Sequence, residues 1–280
     1  MNGIIELVKV IILGIVEGIT EWLPISSTGH MRLVDAFMPL QLNKAFTDMF
    51  FVVIQLGAIL AVMVVFFHKL NPLSPSKSAA EKKNTWILWS KVIVATMPAF
   101  VLGFLLDDLM DQYFDKPWVY AITFTVYGLA FIWVESGKRK AKASRINSLE
   151  AISYKDAALM GLWQCLALVP GTSRSGATII GALLMGTKRY VATEFSFFMS
   201  IPVMFGASFL KLVKFGFHYT AAEATYLILG MLIAFGVSLL VINFLLGYIK
   251  KHDFKVFGYY RVALGILVAV LYLLGVFKGK

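Results

Sequence analysis

The chain has 280 residues, of which 59% are hydrophobic and only 15% charged, with a formal net charge of +10. A soluble globular domain carries about 25% charged residues, so the composition excludes one and predicts an all-α, polytopic membrane protein built as a single integral-membrane domain, 1–280. Nucleic-acid binding is excluded as well, because the basic residues gather in loops and form no basic face with its own scaffold.

The N-terminal segment carries Glu6 and Lys9 early and lacks the basic start, apolar core and small-residue cleavage site of a signal peptide, so none is expected. Segment 3–41 is apolar but broken at Pro24. Spanning helices are predicted at about 47–67, 87–106, 117–135, 193–214, 225–249 and 258–277, each near the ~20 apolar residues a bilayer core requires. Lys69, Lys77, Lys82 and Lys83 mark loop 68–85 as cytoplasmic. Lys138, Arg139, Lys140, Lys142 and Arg145 do the same for loop 136–156, and Lys250, Lys251 and Lys255 for a third loop. The acidic loop 107–116, with Asp107, Asp108, Asp111 and Asp115, belongs on the opposite face, as does 215–224.

Counting crossings leaves segment 157–187 leaving the cytoplasm and returning to it, as a re-entrant hairpin broken at Pro170-Gly171. Segment 3–41 either dips in from outside or crosses twice. Pro24 and Pro170 lie 146 positions apart, and Ile54 and Ile201 lie 147 apart. This offset predicts an inverted-topology repeat, approximately 1–135 and 150–277, with two opposed re-entrant hairpins meeting near mid-membrane.

Two polar runs sit at those breaks. The first is Glu17-Gly-Ile-Thr-Glu21-Trp-Leu-Pro24-Ile-Ser26-Ser27-Thr28-Gly29-His30, the second Pro170-Gly171-Thr172-Ser173-Arg174-Ser175-Gly176-Ala-Thr178. Ionisable groups inside a membrane cost about 2.5–3.5 kcal/mol each by insertion scales and mark sites that handle charge. Glu17 and Glu21 are four apart and share a helix face. Two such carboxylates in a low dielectric must bind a cation, share a proton or pair with a base. Mg²⁺ or Ca²⁺ suits them as oxygen ligands, with substrate phosphate completing the shell. Ser26 and Thr28 read as caps of the following helix that can also bind an anion. Ser27 reads equally as a cap and as a nucleophile. His30, one turn beyond, is either structural or the acid or base serving Ser27. In the second run a glycine-flanked turn opens a helix, where Arg174 suits two phosphate oxygens and Ser173, Ser175 and Thr178 supply neutral donors. Arg261 either reaches this site or extends to the membrane interface.

Cys165, the only cysteine, reads as a packing residue, and His68, His218 and His252 lack zinc-ligand spacing. A transporter reading competes, since mid-membrane broken helices are a transporter architecture: the chain would then flip a polyprenyl phosphate or carry an ion. The hydroxyl-plus-histidine run argues against it. A scaffold role would leave the intramembrane charges unexplained.

At the two polar runs, and at Val53-Ile-Gln-Leu-Gly-Ala and Glu194-Phe-Ser-Phe-Phe, the chain resembles the bacterial undecaprenyl-diphosphate phosphatase family of the bacitracin-resistance type. The likeness runs over nearly the whole chain and is weakest in loops 68–85 and 136–150. It implies removal of the terminal phosphate from a long-chain polyprenyl diphosphate, giving the monophosphate carrier used in peptidoglycan assembly. It also implies dependence on a divalent cation, bacitracin resistance when abundant, and an active site on the outer face of the bacterial inner membrane. In that family Glu17, Glu21, Ser27, His30 and Arg174 correspond to active-site residues. The partners implied are the polyprenyl diphosphate and membrane lipid, and a homodimer stays open.

Overall fold

The structure, a computed structural model, describes residues 2–136, 144–216 and 218–277. The basic residues Lys138, Arg139, Lys140 and Lys142 of the second loop lie outside the described residues. The chain is all-α as expected, with no named strand among the described residues. Helices α1 (Asn2–Thr20) and α2 (Ser27–Phe37) flank the first polar run. α3 (Lys44–Val53) and α4 (Gln55–Val65) form one apolar stretch interrupted at Ile54, and the short α5 (Phe67–Leu70) follows. Next come α6 (Ala79–Phe114), α7 (Pro117–Val134) and α8 (Tyr154–Cys165) with a 3₁₀ turn at Leu166–Leu168. α9 (Arg174–Leu184), α10 (Arg189–Phe215), α11 (Ala221–Ile249) and α12 (Lys255–Leu273) complete it.

Among the described residues, six stretches are long and apolar enough to cross a bilayer: Lys44–Val65, Ala79–Leu106, Pro117–Val134, Arg189–Phe215, Ala221–Ile249 and Lys255–Leu273. They match the six predicted spans but start earlier in places. α6 begins at Ala79 because Ser78 and Glu81 form a reciprocal capping box there. The acidic stretch 107–116 is also mostly helix and not loop, since α6 runs on to Phe114 and ends only at its C-cap Asp115. On that extension Asp111 pairs with Lys211 and Asp108 with Lys214, each at 2.6 Å, tying α6 to the end of α10. The outer faces of the spanning helices are apolar, as lipid contact demands: Phe104, Leu232 and Leu240 are exposed.

Helix pairs approach through small residues, the usual means of packing where lipid offers no hydrophobic contrast. A Cβ on Gly128 of α7 would lie 2.8 Å from the Gly258 carbonyl oxygen of α12, and the reverse holds at the same distance. α1 packs against α11, and α8 packs against α6. Gly14 and Gly161, 147 positions apart, make these two approaches: a Cβ on the first would meet Ile233 at 2.9 Å, and on the second the Ala95 carbonyl at 2.1 Å. The interior between these pairs is filled by Trp22, Phe195, Phe197 and Phe198, all fully buried.

Candidate active site

α1 ends at Thr20, and the chain turns through Glu21–Ile25 before α2 starts. The turn is anchored by Trp22, whose buried ring stands edge-on to Phe197 with centroids 4.9 Å apart. Ser26 caps α2 with φ at 75°, its side chain accepting from the Gly29 N–H at 3.4 Å. The second turn repeats this construction. Ser173 caps α9 with φ at 73° and accepts from the Gly176 N–H at 3.1 Å. These are the two non-glycine residues of positive φ among the described residues, and Ser26 and Ser173 stand 147 positions apart. The first helical residue after each cap is Ser27 in one turn and Arg174 in the other.

The two turns meet. Arg174 donates to Glu21 Oε1 at 2.7 Å, and the Ser27 hydroxyl donates to Glu21 Oε2. One carboxylate therefore bridges the corresponding residues of the two helix starts. A second guanidinium nitrogen of Arg174 donates to the Ser196 carbonyl on α10 at 3.2 Å. Glu17 is fully buried beside Glu21, Ser27 and Arg174, yet neither of its carboxylate oxygens has a hydrogen-bond partner among the described residues.

A cavity of about 160 Å³ lies at this junction, lined by Glu21, Ser26, Ser27, Thr28, Ser173 and Arg174, with Gln55, Val203, Met204 and Ala207 among its other walls. Both helices present their N-terminal residues to it. The first-turn N–H groups that a helix leaves without intrahelical partners, and the positive end of its dipole, make such ends anion sites. Larger cavities of about 560 and 610 Å³ lie elsewhere, around Lys69 and Lys77 and around Arg32 and Asp115. Chemistry and not volume singles out the smaller one.

Ser175 and Thr178, expected as donors to the anion, do not line the cavity, and His30 and Arg261 have partners of their own. The Ser175 side chain is buried with its hydroxyl 3.3 Å from that of Ser173, and Thr178 donates to the Arg174 carbonyl at 2.9 Å one turn back. His30 does not bond to Ser27. Its Nδ1 lies 2.7 Å from the Ser26 carbonyl, which can only accept, and its Nε2 lies 2.7 Å from the Tyr260 hydroxyl. The Tyr260 ring stacks on the imidazole at 5.6 Å. Arg261 does not extend to the interface and does not line the cavity. It is fully buried behind the two turns, donating to the carbonyls of Pro24 at 3.2 Å, Gly171 at 2.8 Å and Thr123 at 3.1 Å. Phe124 and Tyr127 lie against its charge, with ring centroids at 5.5 and 5.7 Å.

Sequence reasoning passed over Tyr260 as a site residue, because its pairing with His30 spans 230 positions. It gave Gln55 no role in the site either, although a lone amide inside the apolar run 47–67 was a usable signal.

The fold and this junction define a multi-pass, all-helical membrane protein with a buried junction of two helix N-termini, carboxylates and an arginine inside it. Residues 10–267 match the model of the family described as Bacitracin resistance protein BacA. The chain is 57% identical to the undecaprenyl-diphosphatase of Enterococcus faecalis strain V583, over 93% of this chain and 95% of the relative. It is 55% identical to the protein of that name from Lactiplantibacillus plantarum (94% and 97%) and 56% to that from Lachnoclostridium phytofermentans (96% and 98%). The chain belongs to the BacA family.

Proposed function

We propose that this chain is an undecaprenyl-diphosphatase, a membrane hydrolase that converts undecaprenyl diphosphate to undecaprenyl phosphate and phosphate and so returns the lipid carrier to peptidoglycan synthesis. Relatives of that name align over nearly its full length. The observation that carries the chemistry is the chain of bonds Arg174–Glu21–Ser27 at two converging helix N-termini. It brings a permanent cation, a base and a hydroxyl to one cavity.

The diphosphate enters this cavity with Arg174 and the first-turn N–H groups of α2 and α9 around its oxygens. Ser173, Ser175, Ser26 and Thr28 supply or hold further donors, and Thr178 fixes the Arg174 backbone. The cavity is about 160 Å³. At roughly 30 Å³ per water molecule that is room for a headgroup only, so the isoprenoid chain lies outside, along the apolar α10 wall. Ser27 Oγ attacks the terminal phosphorus as its proton passes to Glu21. The bond from that phosphorus to the bridging oxygen breaks, and undecaprenyl phosphate leaves. Water then attacks the phosphoserine as its proton passes to the other carboxylate of the pair, the P–Oγ bond breaks, Ser27 Oγ takes its proton back from Glu21, and inorganic phosphate leaves. Arg174 stabilises the charge that develops on the equatorial oxygens. His30 and Tyr260 hold the first turn in register, since the imidazole is bonded to the cap carbonyl itself.

Glu17 fits a divalent cation, Mg²⁺ or Ca²⁺. It offers two buried oxygens without partners next to Glu21. No cluster of three or more His, Cys, Asp or Glu occurs among the described residues, and Mg²⁺ is commonly held by one or two carboxylates plus substrate phosphate. When bound, such an ion would neutralise charge on the diphosphate oxygens.

On this reading α1–α2 and α8–α9 are re-entrant hairpins from opposite faces. They make one domain of two inverted repeats in the bacterial inner membrane, with the cavity opening to the outer face. The test is phosphate release from farnesyl or undecaprenyl diphosphate by the detergent-solubilised protein with and without chelator. Turnover that stops on chelation and returns with Mg²⁺ or Ca²⁺ is the expected result. A wild type without turnover in detergent, where no compartments exist, returns the chain to the transporter reading.

A further inference from the structure

The offset of 147 positions extends beyond the caps. It relates Gly14 to Gly161 at the two helix approaches, Ser26 to Ser173 and Gly29 to Gly176 at the two caps, and Phe50 and Phe51 to Phe197 and Phe198. It also relates Glu17 to Gln164. Both side chains are buried, at 0% and 2% exposure. Among the described residues, these are the two buried side chains in which both terminal polar atoms lack a hydrogen-bond partner.

Leaving one buried polar group unsatisfied costs about 1–3 kcal/mol, so two such atoms on one amide call for a partner, water or ligand, that the protein does not supply. By the same offset Gln164 belongs beside the second turn, although it does not itself line the cavity. Glu17 follows Gly14 by three residues and faces the first turn, beside Glu21 and Ser27. Gln164 follows Gly161 by the same three residues, and Ala167, in the 3₁₀ turn that follows α8, lines the cavity. Resting on the phosphatase reading, we propose that Gln164 is a substrate-binding residue, the second repeat's counterpart of Glu17, whose amide N–H groups hold the diphosphate.

The difference in residue type has a chemical reason. A third carboxylate here would repel the dianionic headgroup that Arg174 attracts, whereas an amide of the same shape donates two hydrogens to it. Glu17 would thus meet the headgroup through a cation when one is bound, and Gln164 directly.

The experiment compares wild type with Gln164→Met and Gln164→Glu in detergent with Mg²⁺. It measures turnover of farnesyl diphosphate, and inorganic pyrophosphate as inhibitor and as thermal stabiliser. A hydrogen bond to a charged group, made equally in ground and transition states, raises KM and leaves kcat alone when lost. The expected result is a KM and a pyrophosphate inhibition constant about tenfold higher in the Met variant. Both should be higher still in the Glu variant, with kcat within about threefold of wild type and a smaller pyrophosphate-induced rise in Tm. Variants that keep wild-type KM and pyrophosphate affinity, whether or not their Tm falls, overturn the contact. So does a Glu variant that binds pyrophosphate as wild type does, because a residue that merely fills a hydrated gap tolerates that change. A wild type that binds pyrophosphate in a Gln164-dependent way but never hydrolyses a prenyl diphosphate overturns the phosphatase reading and keeps the contact. One that does neither overturns both.

Discussion

Arg174 and Glu21 meet at 2.7 Å although 153 positions separate them in the chain. Each belongs to a different turn, and each turn is built by the same device, a serine cap of positive φ. The site is therefore an interface between two copies of one motif, in which the first copy supplies carboxylates and a hydroxyl and the second supplies the guanidinium. Corresponding positions, Ser27 and Arg174, carry opposite chemical roles and share one carboxylate.

That shared carboxylate gives the first prediction. Glu21→Gln keeps shape and removes both the base and the ion-pair partner, so phosphate release should fall by at least about 10²-fold, the scale of lost charge stabilisation or general-base help. Ser27→Ala should fall as far. Rapid-quench trapping with ³²P-labelled substrate should find phosphoserine at Ser27 in wild type and none in the Ser27→Ala variant. A Ser27→Ala enzyme that retains most of its kcat would assign the attack to water.

Arg261 supports a second prediction. Its guanidinium joins Pro24 of one turn, Gly171 of the other and Thr123 of α7, so it positions the two halves from behind. Arg261→Met leaves buried carbonyls short of donors, at about 1–3 kcal/mol each, and Tm should drop accordingly. Because a 1 Å misplacement of reacting groups can cost about 10²-fold, kcat should fall with little change in KM. Arg261→Lys, with a compact head in place of the planar fork, should restore stability only in part and kcat less. Equal losses in KM and kcat would argue for direct substrate contact.

Much of this was legible before any coordinates. Spans and polar runs stand out because lipid forces apolar stretches of bilayer length and makes each intramembrane charge conspicuous. The prolines at 24 and 170 marked both turns, and the nearly constant offset between the two runs pointed to turns of similar construction. What was hidden is pairing. Nothing local tells that Ser27 bonds to Glu21 and not to His30, since both lie within one or two turns of it. Tyr260 and the carbonyl targets of Arg261 are set by helices brought together from distant parts of the chain. The long α6 was misjudged at both ends because its terminal turns are polar, and polarity suggested loop where capping and ion pairs sustain helix.

The caps make a third prediction. Ser26 and Ser173 each combine an oxygen that caps a helix with a backbone conformation that disfavours side chains. Ser173→Ala loses the cap, at about 0.5–2 kcal/mol, and keeps the strain. Ser173→Gly loses only a few tenths of a kcal/mol as a cap and relieves the strain. Glycine should therefore be the milder substitution at both positions, the reverse of the order in an ordinary helix interior. Thermal unfolding of the four variants, Ser26 and Ser173 each to Ala and to Gly, decides it, and alanine matching glycine at both would count against the strained geometry.

Helix packing gives the last prediction, with a control inside the same molecule. A Cβ on Gly161 would lie 2.1 Å from the Ala95 carbonyl, which is backbone of α6 and cannot swing aside as a side chain does. Gly161→Ala must push α8 away from α6. The second turn hangs on α8, so the displacement is carried toward Arg174. Gly236 of α11 has nothing within 4 Å of its would-be Cβ, and there alanine gains about 0.5–1 kcal/mol of helix propensity without a clash. Gly161→Ala should lower Tm and cut turnover, while Gly236→Ala should hold or raise Tm and leave turnover unchanged. Paired measurements separate close packing from any general intolerance of these helices to substitution, because both changes add one methyl group to a glycine in a helix.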